Sequence, residues 1–386
     1  MIERRRYLDR LEKAIERSPV VSILGPRQVG KTTLAREFAR GRDATFFDLE
    51  SEVDQRRLAN PEMVLGDLRG LVIIDEIQRM PHLFQVLRVV VDRPSKARFL
   101  ILGSASPRII RGVSESLAGR IEFIDLAGFG LDEIGVENWK KLWLRGDFPR
   151  AYLAQTDDLS LNWRRNLIRT FNERDIPQLG IHIAPLALRR FWNLLAHYHG
   201  QYLNTAALAR GLGVSSHTAR FYLDILTGAF MVRQLQPWFA NLKKRQIRSP
   251  KVYFRDSGIL HALTGISDFD DLLGHHAVGA SWEGFIIEEV HKLLWLYDAY
   301  FWGTHAGAEL DMMFVYHGKN FGLEIKFTEA PKTSKSMHIA IENLGLKHLW
   351  IIHPGPYTYP MTETISALSI TDLLTLPDLL DAQIHQ

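Results

Sequence analysis

The most informative segment of the sequence is Val20-Val21-Ser22-Ile23-Leu24-Gly25-Pro26-Arg27-Gln28-Val29-Gly30-Lys31-Thr32-Thr33, because it holds the pattern G-x-x-x-x-G-K-[ST]. The apolar run at 20–24 predicts a short buried strand, and residues 33–39 predict a helix. The two glycines let the backbone wrap a phosphate, and the helix N-terminus adds partial positive charge there. We therefore predict a phosphate-binding loop in which Lys31 reaches the β- and γ-phosphates and Thr32 ligates Mg²⁺. The residues of this loop are Gly25, Pro26, Arg27, Gln28, Val29, Gly30, Lys31, Thr32 and Thr33.

A second signal is Leu71-Val72-Ile73-Ile74-Asp75-Glu76, in which four apolar residues precede two carboxylates. Such a run suits a strand covered on both faces, as in a parallel α/β sheet, where ligand-binding groups follow the carboxyl ends. Asp75 is predicted to hold Mg²⁺ through water, and Glu76 to polarise the attacking water. Phosphoryl transfer needs mainly positioning and charge neutralisation, which this set supplies. The predicted cofactors are ATP and Mg²⁺.

Composition sets limits on the class of protein. The 386 residues are 46% apolar and 24% charged, as in a soluble globular protein, with a net charge of +3. Affinity for nucleic acid would therefore come from local basic patches. The chain has no cysteine, which excludes disulfides and thiolate metal sites. We find no signal-peptide pattern and no apolar run long enough to span a bilayer, so we expect a cytoplasmic protein without a membrane partner.

The order of these motifs resembles that of AAA+ ATPases, and the strand pattern 20–24, 45–49, 71–75, 98–103 and 121–126 fits their five-stranded core. The loop at 25–33 and Leu117-Ala118-Gly119-Arg120 resemble more specifically a prokaryotic family of predicted AAA+ ATPases with a C-terminal domain of unknown function. The resemblance covers nearly the whole chain. It implies an α/β fold with a P-loop core at 1–127, ATP hydrolysis, and a homo-oligomeric ring, of which a hexamer is one form.

Two further residues acquire candidate catalytic roles from this resemblance. Ser104 follows the strand at 98–103, where many P-loop ATPases place a polar sensor of the γ-phosphate; a serine that opens the next helix is the alternative. Arg120 precedes the strand at 121–126, where ring-forming ATPases place an arginine finger for the neighbouring subunit. A surface arginine that caps a helix is the alternative reading of Arg120.

The middle of the chain predicts two modules. Residues 128–184 are helical and fit the lid that follows the nucleotide core in the resembled ATPases; Arg174 is there either a nucleotide sensor or a surface ion-pair partner. Residues 185–248 predict a winged helix, with Asn204 and Ser215 as helix caps around a glycine turn. The helix after the glycine turn would lie in the major groove of DNA, and the basic run that follows would contact the DNA phosphates. A module that contacts a protein is the alternative. The candidate DNA-binding residues are Ser216, His217, Arg220, Lys243, Lys244 and Arg245.

Residues 249–386 predict an α/β domain that resembles the PD-(D/E)XK restriction-endonuclease-like fold. Asp311 and Glu324-Ile325-Lys326 give the pattern D-x(12)-E-x-K across a predicted hairpin. Two carboxylates hold a hard cation, and an ammonium group can orient water, so Asp311, Glu324 and the helix residue Glu283 are candidate ligands of a second metal, with Lys326 beside them. A charged, solvent-facing hairpin with an ion pair is the alternative. We favour a retained fold that holds DNA or a partner over an active nuclease.

Three functions fit these features. The first is a Mg²⁺-dependent AAA+ ATPase that remodels or translocates on DNA. The second is a regulatory NTPase switch whose C-terminal modules bind a protein partner, and the third is an ATP-coupled DNA nuclease. Stimulation of ATP hydrolysis by DNA separates the second from the others, and metal-dependent strand cleavage separates the third from the first.

Overall fold

The structure is a computed structural model that describes residues 2–93, 97–104, 116–178, 181, 183–239 and 247–385, with the backbone alone at Ser104 and Gln178. The chain divides into two compact units, Met1–Gly128 with Gly228–Phe230 and Phe129–Thr227 with Met231–Gln386. The border predicted between 127 and 128 lies one residue from this division. The borders predicted at 184/185 and 248/249 have no counterpart in it and stay predictions.

The first unit contains a five-stranded sheet whose neighbouring strands all run parallel, in the order β2-β3-β4-β1-β5. The strands are β1 Val20–Gly25, β2 Ala44–Asp48, β3 Gly70–Asp75, β4 Ala97–Ser104 and β5 Ile121–Asp125. This confirms the α/β class and the five predicted strands. The helices are α1 Arg5–Arg17, α2 Lys31–Phe38, α3 Glu52–Arg57, α4 Pro61–Asp67 and α5 Leu83–Val91.

Apolar strands explain why this sheet forms. All six residues of β1 are buried, as are five of the six in β3. Strands with two apolar faces are stable only when helices cover both sides, as in doubly wound sheets. One core cluster on this sheet includes Val72, Ile74, Phe99 and Ile101. Because the strands are parallel, their carboxyl ends meet at one edge, where β1, β2 and β3 end at Gly25, Asp48 and Asp75.

The second unit begins with helices. They are α6 Leu131–Ile134, α7 Trp139–Arg145, α8 Pro149–Tyr152, α9 Asp157–Thr170 and α10 Ile176–Gln178, with a π-helical turn at Phe171–Asp175. Residues 146–148 separate α7 from α8. Trp143 is fully buried and packs edge-on against Trp282, with their ring centroids 5.1 Å apart. Aromatic burial of this kind holds the helical segment against the rest of the unit.

Three helices and three short strands follow, in the order helix, strand, helix, helix, strand, strand. They are α11 Pro185–Ala196, β6 Gln201–Tyr202, α12 Thr205–Leu212, α13 Ser216–Gly228, β7 Val232–Pro237 and β8 Lys251–Phe254. The caps are as expected, because Asn204 accepts from the N–H of Ala207 at 2.9 Å and Ser215 from that of Thr218 at 3.1 Å. β8 pairs antiparallel with both β6 and β7. β8, which falls within the predicted C-terminal domain 249–386, therefore pairs with two strands of the predicted winged helix.

The remaining elements complete a nine-stranded sheet in the order β13-β14-β12-β11-β10-β9-β7-β8-β6. β10 and β11 form the expected antiparallel hairpin, with Tyr316 opposite Lys319. Among the described residues, no helix has the length and apolar character needed to cross a membrane. The strands are β9 Ala299–Gly303, β10 Glu309–Tyr316, β11 Lys319–Ile325, β12 Leu346–His353, β13 Tyr359–Pro360 and β14 Ile365–Ser369. The helices are α14 Ser257–Thr264, α15 Phe269–Gly274, α16 Val278–Leu294, α17 Lys335–Leu344 and α18 Leu376–His385.

Candidate functional site

The loop between β1 and α2 has the backbone that phosphate binding requires. Gly30 adopts φ 102° immediately before α2, a backbone conformation that residues with a Cβ rarely adopt. Gly25 is needed for a different reason: a Cβ there would lie 2.4 Å from the carbonyl oxygen of Leu126. The two glycines therefore permit the turn and the close packing of its first residue, and α2 begins directly at Lys31.

Lys31 folds back over this loop. Its Nζ donates to the carbonyl oxygens of Gly25 at 3.0 Å and Pro26 at 2.8 Å, and the residue is only 6% exposed. These contacts hold a full positive charge at the N-terminal end of α2, where the helix dipole and the loop N–H groups also favour an anion. The arrangement suits the terminal phosphates of a nucleotide.

Thr32 and Asp75 meet at the edge of the sheet. The Thr32 hydroxyl donates to Asp75 Oδ2 at 2.6 Å, while Asp75 Oδ1 accepts from the N–H of Glu76 at 2.9 Å. Burial raises the pKa of Asp75, and the Thr32 hydrogen bond opposes that rise. A hydroxyl and a carboxylate side by side are hard oxygen ligands, so this pair fits a Mg²⁺ ion that is otherwise coordinated by phosphates and water.

Glu76 follows Asp75 in a left-handed conformation, with φ 53°. Its side chain accepts from the amide of Gln78. Burial raises the pKa of Glu76, and the positive charges of Lys31 and Arg27 oppose the rise. A carboxylate with a raised pKa is a stronger base, which suits the proton transfer from water that phosphoryl transfer requires.

Sequence reasoning missed two neighbours of these groups. Asp48 ends β2 directly opposite Asp75 in the sheet register, and its charge contributes to the raised pKa of Asp75. Gln78 holds the Glu76 carboxylate. The rule that ligand groups gather at the carboxyl ends of parallel strands points to Asp48, since that residue closes a predicted strand.

The two other predicted catalytic residues, Ser104 and Arg120, are described to different extents. The backbone of Ser104 ends β4 opposite Gly25, while its side chain lies outside the described residues. Arg120 forms a two-pronged pair with Asp92 of the same chain, Nε–Oδ1 2.6 Å and Nη2–Oδ2 2.9 Å. Its side chain is 34% exposed. An arginine-finger role therefore requires that Arg120 leave Asp92.

The predicted DNA-reading face is only partly described. Ser216, His217 and Arg220 are all exposed on α13. Arg220 pairs with Asp224 one turn later, at 3.2 Å. Lys243, Lys244 and Arg245 lie outside the described residues.

The predicted second metal site brings its carboxylates together around a lysine. Asp311 accepts from the N–H of Ile325 at 2.9 Å, and Lys326 pairs with Glu324 at 2.7 Å, so the hairpin joins them as expected. The unexpected member is Lys251 on β8, whose Nζ lies 3.2 Å from Glu283 Oε1 and 3.8 Å from Asp311 Oδ1. Sequence offered no signal for it, because Lys251 is 32 residues from Glu283 and belongs to no motif.

The charged side chains of this cluster shift one another's pKa values. Burial raises the pKa of Glu283 to about 7, with repulsion from Asp311 in the same direction and Lys251 opposing it. Burial and Asp311 likewise raise the pKa of Glu324 to about 8. Burial by itself would lower the pKa of Lys251, but the surrounding carboxylates raise it, so the lysine stays charged. Among the described residues, no three or more carboxylate or imidazole groups have the spacing that a metal ion needs.

Comparison with known proteins agrees with the loop geometry. Residues 17–135 match the model of a family described as "AAA domain". The chain belongs to the prokaryotic AAA+ ATPases. Residues 136–270 and 278–373 match two models described as domains of unknown function, DUF8612 and DUF4143. This AAA+ protein is therefore an ATP-binding enzyme, an ATPase, with a C-terminal region of unknown role.

Its relatives include proteins named only as uncharacterized. One from Mycobacterium tuberculosis and one from Mycobacterium bovis are each 49% identical over 376 residues, which is 97% of this chain and 85% of theirs. A solved Walker-type ATPase of Pyrococcus abyssi is 15% identical, with a TM-score of 0.50 over 68% of this chain and 96% of that one. The likeness to the archaeal structure concerns the fold alone.

Proposed function

We propose that this AAA+ ATPase hydrolyses ATP in a Mg²⁺-dependent reaction and acts on DNA as an oligomer, remodelling it or moving along it. The observation that carries the hydrolytic part is the contact of Thr32 with Asp75 beside Glu76, at the end of a loop that holds Lys31. Three groups with three different tasks, namely charge neutralisation, metal ligation and proton acceptance, thus lie together in space, although they come from two separate segments of the chain.

Each residue has a distinct task in this reaction. Lys31 exchanges its carbonyl partners for the β- and γ-phosphates, and the N–H groups at the start of α2 bind the same oxygens. Thr32 and Asp75 would hold the cation, whose charge would neutralise that of the phosphates. Glu76 orients a water molecule and accepts its proton, and Gln78 keeps the carboxylate in position.

The proposal of a DNA target rests on the module formed by α11 to β8. Its succession of three helices and three short antiparallel strands fits the order expected of a winged helix, in which α13 would be the second helix of the helix–turn–helix. Ser216, His217 and Arg220 are exposed there and have the chemistry to meet bases and phosphates.

One observation favours a protein partner as the second candidate. Phe221 is 45% exposed beside Arg220, whose charge is offset by Asp224. An exposed aromatic ring with balanced charges is more typical of a protein interface than of a phosphate-binding face. In this reading, ATP turnover would switch the affinity for that partner.

An ATPase assay without DNA and with duplex, single-stranded or branched DNA tests the proposal. We expect at least one DNA to raise turnover, and its binding to weaken steeply with salt because phosphate contacts release counterions. Arg220→Ala should lower DNA affinity and leave the basal ATPase rate unchanged. Arg56→Ala, which removes an 81% exposed arginine with a neighbouring helix carboxylate, is the matched control.

The outcomes separate the candidates. Stimulation that is lost in Arg220→Ala but kept in Arg56→Ala supports a DNA target read through α13. If no DNA form changes turnover or binds, the partner-switch function replaces the DNA role, while the ATPase assignment stands on its own basal rate.

A further inference from the structure

Lys251 is a buried lysine among the carboxylates that the sequence suggests as ligands of a second metal. It is 4% exposed, on the short strand β8. Its Nζ reaches carboxylates on two other elements: Glu283 on α16 at 3.2 Å, and Glu309 and Asp311 on β10, the latter at 3.8 Å. A single ammonium group thus has three carboxylates around it, and carboxylate oxygens are the kind of ligand that a hard cation prefers.

Hydrogen bonds fix these carboxylates in place around the lysine. The hydroxyl of Tyr253 donates to Glu283, and that of Tyr202 donates to Glu309 Oε2 at 3.0 Å. The Ile325 N–H holds Asp311 Oδ2 at 2.9 Å. The carboxylates are therefore organised for a cation at the position of Lys251 Nζ, and the chain itself supplies that cation.

Glu324 gives a second, independent sign of a cation site. Its side chain is 7% exposed, and its Oε1 accepts from Lys326 at 2.7 Å. Its other oxygen, Oε2, is buried and has no hydrogen-bond partner among the residues described here. A buried acceptor without a donor is costly, and in an intact metal site this oxygen would be a ligand.

We propose that Lys251 is the resident cation of this site, in place of a divalent metal, and that the C-terminal domain therefore acts without metal-dependent strand cleavage. Removal of the lysine should leave its three carboxylates, Asp311, Glu283 and Glu309, without a counterion, and these would then bind Mn²⁺ or Mg²⁺ in its place. The inference does not depend on the role proposed for the ATP site, because all its residues lie in the second unit.

The test compares Lys251→Ala with the wild-type protein, both free of nucleotide and stripped with EDTA. In EDTA we expect the variant to unfold about 10 °C lower, because buried carboxylates lose their counterion. Added Mn²⁺ should recover most of that shift in the variant and leave the wild type unchanged. Counting bound Mn²⁺ by electron paramagnetic resonance should give one more ion in the variant than in the wild type.

Two further variants locate the effect. Lys251→Ala combined with Asp311→Asn should lose the extra Mn²⁺ ion, because a principal ligand is gone. Lys326→Ala removes a lysine at the same site whose side chain is 43% exposed, and it should bind no extra ion because Lys251 remains. A gain of Mn²⁺ in Lys326→Ala would contradict the specific role of Lys251.

Measurements on the wild-type protein test the proposal even if Lys251→Ala folds poorly. If wild-type protein binds one Mn²⁺ more than Asp311→Asn, or nicks DNA with Mn²⁺ in an Asp311-dependent manner, the proposal is overturned. It is also overturned if folded Lys251→Ala gains no Mn²⁺. Folding of Lys251→Ala only when Mn²⁺ is present supports the proposal as strongly as the shift in melting temperature does.

Discussion

Glu76 combines partial burial, a strained backbone and a fixed side chain. It follows the buried strand β3 with φ 53°, a conformation that costs a residue with a Cβ about 1–2 kcal/mol. Such strain persists only where the surroundings enforce it, and it is concentrated at functional sites. The Gln78 amide holds the carboxylate, and burial raises its pKa. These features support the general-base role that we propose for Glu76.

The substitution Glu76→Gln tests that role. The amide keeps the size of the side chain but cannot accept a proton, so we expect ATP hydrolysis to slow by about 100- to 10,000-fold. Binding of ATP should persist, because Lys31, Thr32 and Asp75 are untouched. Single-turnover hydrolysis and a filter-binding assay with labelled ATP measure the two quantities separately.

Lys31→Ala is the informative contrast to that variant. It removes the charge that meets the β- and γ-phosphates, so ATP binding itself should be lost. Turnover by Glu76→Gln at the wild-type rate would show that Glu76 is not the base. Loss of binding in both variants would show that Glu76→Gln disturbs the loop and does not isolate the chemical step.

At the scale of elements, the stability of the fold depends on pH where the hairpin of β10 and β11 meets α16. In the folded chain the pKa of Glu324 is raised to about 8 and that of Glu283 to about 7, mainly through burial. A carboxyl group with a raised pKa binds its proton more tightly when folded. Its contribution is therefore complete below the ordinary glutamate value and is lost as pH rises through 7 to 8.

We expect the melting temperature to fall between pH 6 and pH 9, and Glu324→Gln to make that fall shallower. The amide imitates the protonated carboxyl and does not titrate. Part of the slope remains, since burial also raises the pKa of Glu289 to about 7. Glu16→Gln, at an exposed position of α1, is the control and should keep the wild-type slope. Scanning calorimetry across this range measures both, and equal slopes in Glu324→Gln and wild type would contradict the assignment.

Whether an element could be predicted depends on how local its determinants are. The loop at 25–33 and strand β3 are encoded by consecutive residues, so the placement of Thr32 beside Asp75 was predictable. The hairpin pair Asp311 and Glu324 followed from strand periodicity. The role of Lys251 was not predictable, because its contacts form only when β8 packs beside α16 and β10, which are distant in sequence. The membership of β8 in the group of β6 and β7 was missed for the same reason.

At the scale of the whole molecule, Arg120 connects the single chain to the proposed oligomer. In one chain both its Nε and Nη2 are engaged by Asp92. If Arg120 acts in the site of a neighbouring subunit, the Asp92 pair is a resting position that assembly must break. If it is merely a surface pair, neither partner affects catalysis, and the substitutions Arg120→Ala and Asp92→Asn should behave alike.

We expect these two variants to differ. Arg120→Ala should lower ATP turnover by about 1,000-fold, the scale at which an arginine neutralises charge in phosphoryl transfer. Asp92→Asn should keep or raise turnover, because it releases Arg120 from its partner within the chain. Steady-state ATPase assays at protein concentrations where the oligomer is verified by light scattering make the comparison. Equal turnover in the two variants would favour the surface-pair interpretation.

Mixing two inactive proteins then tests action between subunits. Lys31→Ala lacks nucleotide binding and Arg120→Ala lacks the finger, so each alone should be nearly inactive. In a mixed ring, some interfaces place an intact Lys31 site beside a subunit with an intact Arg120, and those interfaces should hydrolyse ATP. Turnover should therefore rise above the sum of the two proteins and depend on their ratio. A verified mixed oligomer without recovery, or a wild type that stays monomeric with ATP, would remove Arg120 from the catalytic set.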